Sequence, residues 1–222
     1  MKAAVITFPG SNCDDDAVFT LQHTLELNVD RLWHKEAKDL GEYNLVVVPG
    51  GFSYGDYLRC GAVASHSPIM GSVKQYAAHG GLTLGICNGF QVLCESGLLP
   101  GALIRNLTTN FICRDVTLRV TANNNPWTNQ LKIGDELTLP IAHSEGRYII
   151  EEPAYAEMKE KEQIVLSYVS NPNGSLFDIS GVCNEAKNVF GLMPHPERSS
   201  DLRTRHGMGI WQSFLNWSAK QK

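Results

Sequence analysis

The chain has 222 residues, 43% of them hydrophobic, and its 19 Lys and Arg stand against 23 Asp and Glu for a formal net charge of −4. That length suits one large α/β domain or two small ones, and the mild acidity argues against a nucleic-acid partner, which would need a basic stripe. No apolar run reaches about 18 residues, so no membrane span or membrane partner is expected.

The apolar start, Met1 to Phe8, is too short for a secretory signal and reads as a first strand. The six cysteines, at 13, 60, 87, 94, 113 and 183, form no Cys-x-x-Cys pair, so a zinc ribbon or thioredoxin-like motif is not expected. Without a secretory signal they read as reduced thiols of a cytoplasmic protein, and a buried small hydrophobe is the plain alternative for each.

Strand and helix patterns alternate through the first half. Ala3–Thr7 is a strand, Pro9-Gly10-Ser11-Asn12 a turn, and a helix runs through Ala17, Leu21, Leu25 and Leu27. Asp14-Asp15-Asp16 sits at that helix start, where the dipole favours negative charge. Val29–Trp33 is a second strand. Leu45–Val48 is apolar without alternation, as suits a parallel strand buried on both faces, and Pro49-Gly50-Gly51 ends it. Ile69–His79 reads as a helix stopped by Gly80-Gly81.

Between Ala102 and Ile150 the apolar residues alternate, with turn clusters at Asn123–Pro126 and Lys132–Asp135, so antiparallel strands attached to the main sheet are expected. Gln163–Val169 and Val189–Met193 are further strands. The segment from Leu202 to Lys220 carries Ile210, Trp211, Phe214, Leu215 and Trp217 at helical spacing. No repeat, low-complexity tract or linker interrupts the chain, which reads as one α/β domain over residues 1–222.

The chemistry centres on Leu82–Gln91. There an apolar strand ends in Gly85-Ile86-Cys87-Asn88-Gly89 and gives way at once to a helix, the layout of a nucleophile elbow. A cysteine at that tip lies beside a helix N-terminus, which favours its thiolate.

A base is offered by Met193-Pro194-His195-Pro196-Glu197-Arg198. Pro196 biases His195 to an extended backbone, so His195 and Glu197 project to one side. The order Cys87, His195, Glu197 then reads as nucleophile, general base and orienter. The Pro-Cys-x-x-Cys partner of a zinc deaminase is absent, so no metal is assigned.

Acyl transfer also needs donors for the developing oxyanion. The N–H of Asn88 follows the nucleophile, and Pro49-Gly50-Gly51-Phe52 supplies a second candidate at a strand end; the simple alternative there is a tight turn. Neither a P-loop nor a dinucleotide fingerprint occurs. Ala142-His143-Ser144-Glu145-Gly146-Arg147-Tyr148 reads either as a hairpin turn or as a polar wall for the charged end of an amino-acid substrate.

Together these residues resemble the class I, or triad, glutamine amidotransferases. The shared pattern is Pro49-Gly50-Gly51, then Gly85-Ile86-Cys87-Asn88-Gly89-Phe90-Gln91, then His195-Pro196-Glu197. A narrower resemblance, to the glutaminase subunits of phosphoribosylformylglycinamidine synthases, rests on Pro9–Asp14, Gly50–Asp56, Asn171–Ser175 and Met193–Arg198 and covers nearly the whole chain. One departure is Ser144, where that family usually has glycine; other triad amidotransferases carry His-Ser there.

The resemblance implies a flavodoxin-like, three-layer α/β fold, a mostly parallel sheet flanked by helices with added antiparallel strands. It implies a Cys87 thioester with glutamine, Gly51 and Asn88 N–H groups at the oxyanion, and glutamine held by Gly50, Phe52, Gln91, His143, Ser144 and Glu145. It implies no cofactor in this chain, and ATP and magnesium on a partner synthetase that uses the ammonia for purine biosynthesis. A small accessory subunit is the second implied partner. The Pro9–Asp16 loop and the Arg198–Arg205 segment are candidate docking surfaces. The rival readings are a related cysteine peptidase, a pyridoxal-phosphate-forming glutaminase and a non-catalytic regulatory subunit.

Overall fold

The computed structural model describes residues 1–201 and 204–220. Leu202, at the expected start of the last helix, and Arg203, within the Arg198–Arg205 segment, lie outside the described residues.

The first half alternates as the apolar pattern requires: β1 (Lys2–Thr7), α1 (Asp14–Phe19), β2 (Asn28–Trp33), β3 (Leu45–Val48), α2 (Pro68–Ala78), β4 (Thr83–Ile86) and α3 (Asn88–Glu95). β3 and β4 are buried at every residue, which is why neither alternates. The sheet order begins β2-β1-β3-β4, all parallel. The next strand is β11 (Val189–Leu192), which returns from late in the sequence and pairs in parallel with β4, Leu192 opposite Ile86. That single pairing sets the segment after β11 beside the segment after β4.

The sheet then continues with antiparallel strands, β10 (Ile179–Cys183), β9 (Ile164–Tyr168), β6 (Ile112–Val120) and β7 (Glu136–His143). The expected added strands are therefore present. Two of them depart from the expectation: β5 (Ala102–Ile104) and β8 (Arg147–Ile149) pair only with each other, in a small separate sheet. Consequently His143–Arg147 is not a hairpin turn, because β7 and β8 are not partners. It is a crossing from one sheet to the other.

Three further differences have local causes. The first helix does not reach Leu27; α1 ends at Phe19, a wider π turn covers Thr20–Thr24, and Leu27 N–H bonds Leu21 O at 2.9 Å as the chain swings into β2. Leu21, Leu25 and Leu27 are all buried, so the apolar spacing reports the core contact and not the helix length. β10 has apolar residues broken by Gly181, where its register with β9 shifts, and so lacks a strand signature. Helix α4 (Glu152–Glu160) buries only Met158 and carries little periodicity.

The last helix, α5 (Met208–Lys220), docks by Ile210, Trp211 and Phe214 as the aromatic spacing predicts. No helix among the described residues is long and apolar enough to cross a membrane.

Candidate active site

Cys87 stands between β4 and α3 with φ 50° and ψ −104°. A non-glycine residue there is strained by about 1 to 3 kcal/mol, and such strain persists where the surroundings over-determine it. The surroundings here are tight. Cys87 N–H donates to Leu192 O at 2.8 Å, and a Cβ on Gly89 would run into Val48 O. Glycine at 89 therefore lets the first turn of α3 press onto the end of β3. The thiol is buried, with Sγ 3.8 Å from Ala142 O at the end of β7.

His195 follows β11 and so arrives at the elbow. Its own N–H is fixed to Pro140 O at 2.9 Å, across the sheet, and its backbone is extended, as Pro196 requires. A tight turn over Pro196–Ser199 then brings Glu197 Oε1 to 2.6 Å from His195 Nδ1. Both side chains are buried. Burial alone would lower the His195 pKa, but the Glu197 carboxylate and the Cys87 sulfur outweigh it and push the pKa up to about 10. His195 is thus a strong base beside the thiol. Its Nε2 and Glu197 Oε2 have no hydrogen-bond partner among the described residues.

Gly50 sits against His195. A Cβ on Gly50 would lie 2.8 Å from His195 Cε1 and 3.3 Å from Cys13 Sγ. Gly51 has φ +131° and is held by an antiparallel bridge to Ser11, with Phe52 N–H on Gly10 O at 3.2 Å. Asn88 begins α3, where N–H groups have no acceptor inside the helix. Its side chain gathers the neighbouring loops: Oδ1 accepts Ser53 N–H at 3.3 Å, and Nδ2 donates to Gln91 Oε1 at 2.8 Å. Phe52 is half exposed.

Gln91 Nε2 in turn donates to Glu145 O, and Glu145 Oε2 accepts Cys60 N–H at 3.3 Å. His143 is buried, and its pKa falls to about 4 because of that burial and the nearby His195. Ser144 O accepts Asn106 N–H at 2.9 Å. The structure thus brings Cys87, His195, Glu197 and Gly50 together and ties Asn88 through Gln91 to Glu145, with His143 near His195; the described contacts of Gly51, Phe52 and Ser144 are with Ser11, Gly10 and Asn106 instead.

Five residues escaped sequence reasoning. Asn106 bonds His143, Ser144 and Gly146 at once. Asn173 Nδ2 holds Gly146 O at 2.7 Å, which gives the Asn171–Ser175 stretch a structural task. The Tyr168 hydroxyl is buried near Asn173, and burial, then the nearby Cys87, drives its pKa up against the opposing effect of Asn173. Cys13, pushed up to about 12 by burial against the opposing Arg198, touches Gly50, and Arg198 contacts its sulfur. Only the sequence neighbourhoods of Cys13, Asn173 and Arg198 carried any signal.

The family model described as a CobB/CobQ-like glutamine amidotransferase domain matches residues 1–218. The chain belongs to this amidotransferase family.

A relative from Alkaliphilus metalliredigens, described as phosphoribosylformylglycinamidine synthase subunit PurQ, is 52% identical over 219 residues, covering 98% of this chain and 96% of that protein. A second of the same description, from Rubrobacter xylanophilus, is 51% identical and covers 97% and 98%. Among solved structures, one chain of PurLQS from Thermotoga maritima superposes with a TM-score of 0.87 at 44% identity, covering 97% of this chain and 98% of that one. Another Thermotoga maritima protein, described as a glutamine amidotransferase, shares the fold at 17% identity and a TM-score of 0.60, covering 100% of this chain and 85% of that one.

For an amidotransferase the arrangement offers a thiol, an imidazole beside it whose pKa is raised, a buried carboxylate to hold that imidazole, and backbone N–H groups nearby. These are the parts of acyl transfer through a thioester.

Proposed function

We propose that this amidotransferase is the glutaminase subunit of a phosphoribosylformylglycinamidine synthase of purine biosynthesis, acting as one domain over residues 1–222. The observation that carries the reading is the β4–β11 pairing, which seats the His195–Glu197 pair beside Cys87 at a strained elbow. Relatives of that description about as long as this chain support the wider assignment.

In this reading His195 takes the Cys87 thiol proton and the sulfur attacks the side-chain carbonyl of glutamine. Gly51 and Asn88 N–H groups receive the oxyanion. His195 passes its proton to the departing nitrogen, ammonia leaves, and a thioester remains. Water deprotonated by His195 then adds to the thioester; the sulfur leaves with a proton and glutamate is released. Gly50, Phe52, Gln91, His143, Ser144 and Glu145 shape the pocket that holds the glutamine.

The partners are a synthetase subunit with a small accessory subunit, as the PurLQS assembly suggests. ATP and magnesium act on the synthetase, and the complex works in the cytoplasm. Weak activity is expected from the chain alone, since free glutaminase turnover would waste glutamine. The test is the reconstituted complex with Cys87→Ala. Glutamine-dependent amidine formation should vanish while ammonium-dependent formation persists; retention of the glutamine-dependent reaction would refute the reading.

A further inference from the structure

His143 is set by a network whose donors and acceptors can be assigned. Asn106 Nδ2 lies 2.9 Å from Asn110 O and 2.9 Å from His143 O, both pure acceptors, so this atom is the amide nitrogen. Its Oδ1 accepts Gly146 N–H at 3.0 Å, which fixes the same orientation independently. The third contact, His143 Nδ1 to Asn106 Oδ1 at 3.1 Å, must then be donated by the histidine. Burial keeps this imidazole neutral at physiological pH. A neutral imidazole with its proton on Nδ1 has a bare lone pair on Nε2. That Nε2 is buried and has no partner among the described residues.

A buried acceptor without a donor costs about 1 to 3 kcal/mol, so this atom awaits one. Its position says which. The preceding residue, Ala142, offers its carbonyl to Cys87 Sγ, and His143 lies near enough to His195 for their charges to oppose each other. His143 therefore lies beside the Cys87–His195 pair, with its ring packed over Gly146.

We infer that His143 Nε2 accepts a hydrogen bond from the side-chain amide N–H of glutamine and so distinguishes amide from carboxylate. The inference rests on the glutaminase reading and goes beyond holding the substrate. Glutamine offers a donor to this lone pair, whereas product glutamate offers only lone pairs of its own, and the mismatch favours its release. Asn106 is the positioning residue, because it decides which nitrogen carries the proton. With an N–H turned to His143, the nitrogen of the tetrahedral intermediate can direct its own lone pair at the His195 proton.

The test compares glutamine with glutamate γ-methyl ester, which keeps both charged ends and a reactive carbonyl but has no amide N–H. In the reconstituted complex, His143→Phe should lower the ratio of kcat/KM for glutamine to that for the ester about tenfold or more. Equal losses on both substrates would overturn the inference, as they would if His143 met the α-ammonium. Hydrolysis of neither compound by the unsubstituted complex would instead sink the glutaminase reading. A second measurement does not depend on that variant folding. In the full chain carrying Cys87→Ala and 15N-histidine, the His143 Nε2 resonance should be that of an unprotonated nitrogen and should shift with glutamine but not with the ester. A protonated Nε2, or equal shifts, would overturn it.

Discussion

Arg198 Nη2 lies 3.0 Å from Cys13 Sγ, across a contact between the loop after β1 and the turn that carries Glu197. The same guanidinium reaches Asp16 Oδ2 with Nε at 2.9 Å. A Cβ on Gly50 would meet both Cys13 and His195, so this contact stands behind the imidazole with only Gly50 between them. The charges of Asp16 and Arg198 are thus spent partly on each other, which removes them from a purely outward docking role.

Arg198→Leu should therefore cost about 1 to 2 kcal/mol of unfolding free energy and slow glutamine turnover several-fold. Arg198→Lys should fall between, since an ammonium cannot serve both acceptors with the fixed fork of a guanidinium. Chemical denaturation and steady-state turnover of the complex check both variants; unchanged turnover in Arg198→Leu would show that the effect of this contact does not reach His195.

The His195–Glu197 pair predicts a pH dependence. Despite its burial, His195 has a pKa raised from 6.5 to about 10 by Glu197 and Cys87. A raised pKa means the folded state binds the proton more tightly than the unfolded chain. Its stabilisation is then complete below pH 6.5 and is lost as pH climbs toward 10. Glu197→Gln removes the carboxylate and should flatten that decline. Unfolding free energies measured across the window, variant against parent, decide it; parallel curves would contradict the account. The same variant should lose glutamine turnover by about a hundredfold or more, as the imidazole loses its orienting charge.

Much of this was legible in the sequence, for physical reasons that differ by residue. Leu45–Val48 and the elbow strand announce themselves because a strand covered on both faces is dominated by apolar residues without alternation, Thr83 at the start of β4 being the polar exception. Gly89 is required by a backbone contact with Val48, and Cys87 follows from the turn that Gly89 permits. His195 and Glu197 were legible as a local motif. That they meet Cys87 depends on β11 pairing with β4, a long-range contact that leaves no periodic trace. Asn106 was illegible for a deeper reason: its worth lies in satisfying His143, Ser144 and Gly146 together, and nothing local marks it. Tyr168 read simply as a strand aromatic.

Gly89→Ala tests the elbow. The added methyl would meet Val48 O, and overpacking of this kind costs about 1 to 3 kcal/mol, more where backbone is the obstacle. The variant should be destabilised by about 3 kcal/mol and should lose thiol reactivity at Cys87 together with turnover. A stable, active Gly89→Ala protein would refute the proposed packing of α3 on β3.

Asn88→Ala separates the side chain of this residue from its N–H. The substitution cuts the ties to Ser53 and Gln91 but leaves the backbone donor in place. Glutamine KM should rise about tenfold while kcat changes less, because the loss falls on pocket shape and not on the oxyanion. A collapse of kcat at unchanged KM would place the side chain in the chemistry instead.

The central claim is that Cys87 is the nucleophile of a glutaminase. Labelling with a reactive glutamine analogue in native extract, where partner subunits are present, followed by mass mapping, tests it most directly. The account predicts one adduct, on Cys87, suppressed by excess glutamine and absent from Cys87→Ala. An unlabelled Cys87 with the synthetase confirmed present would contradict it.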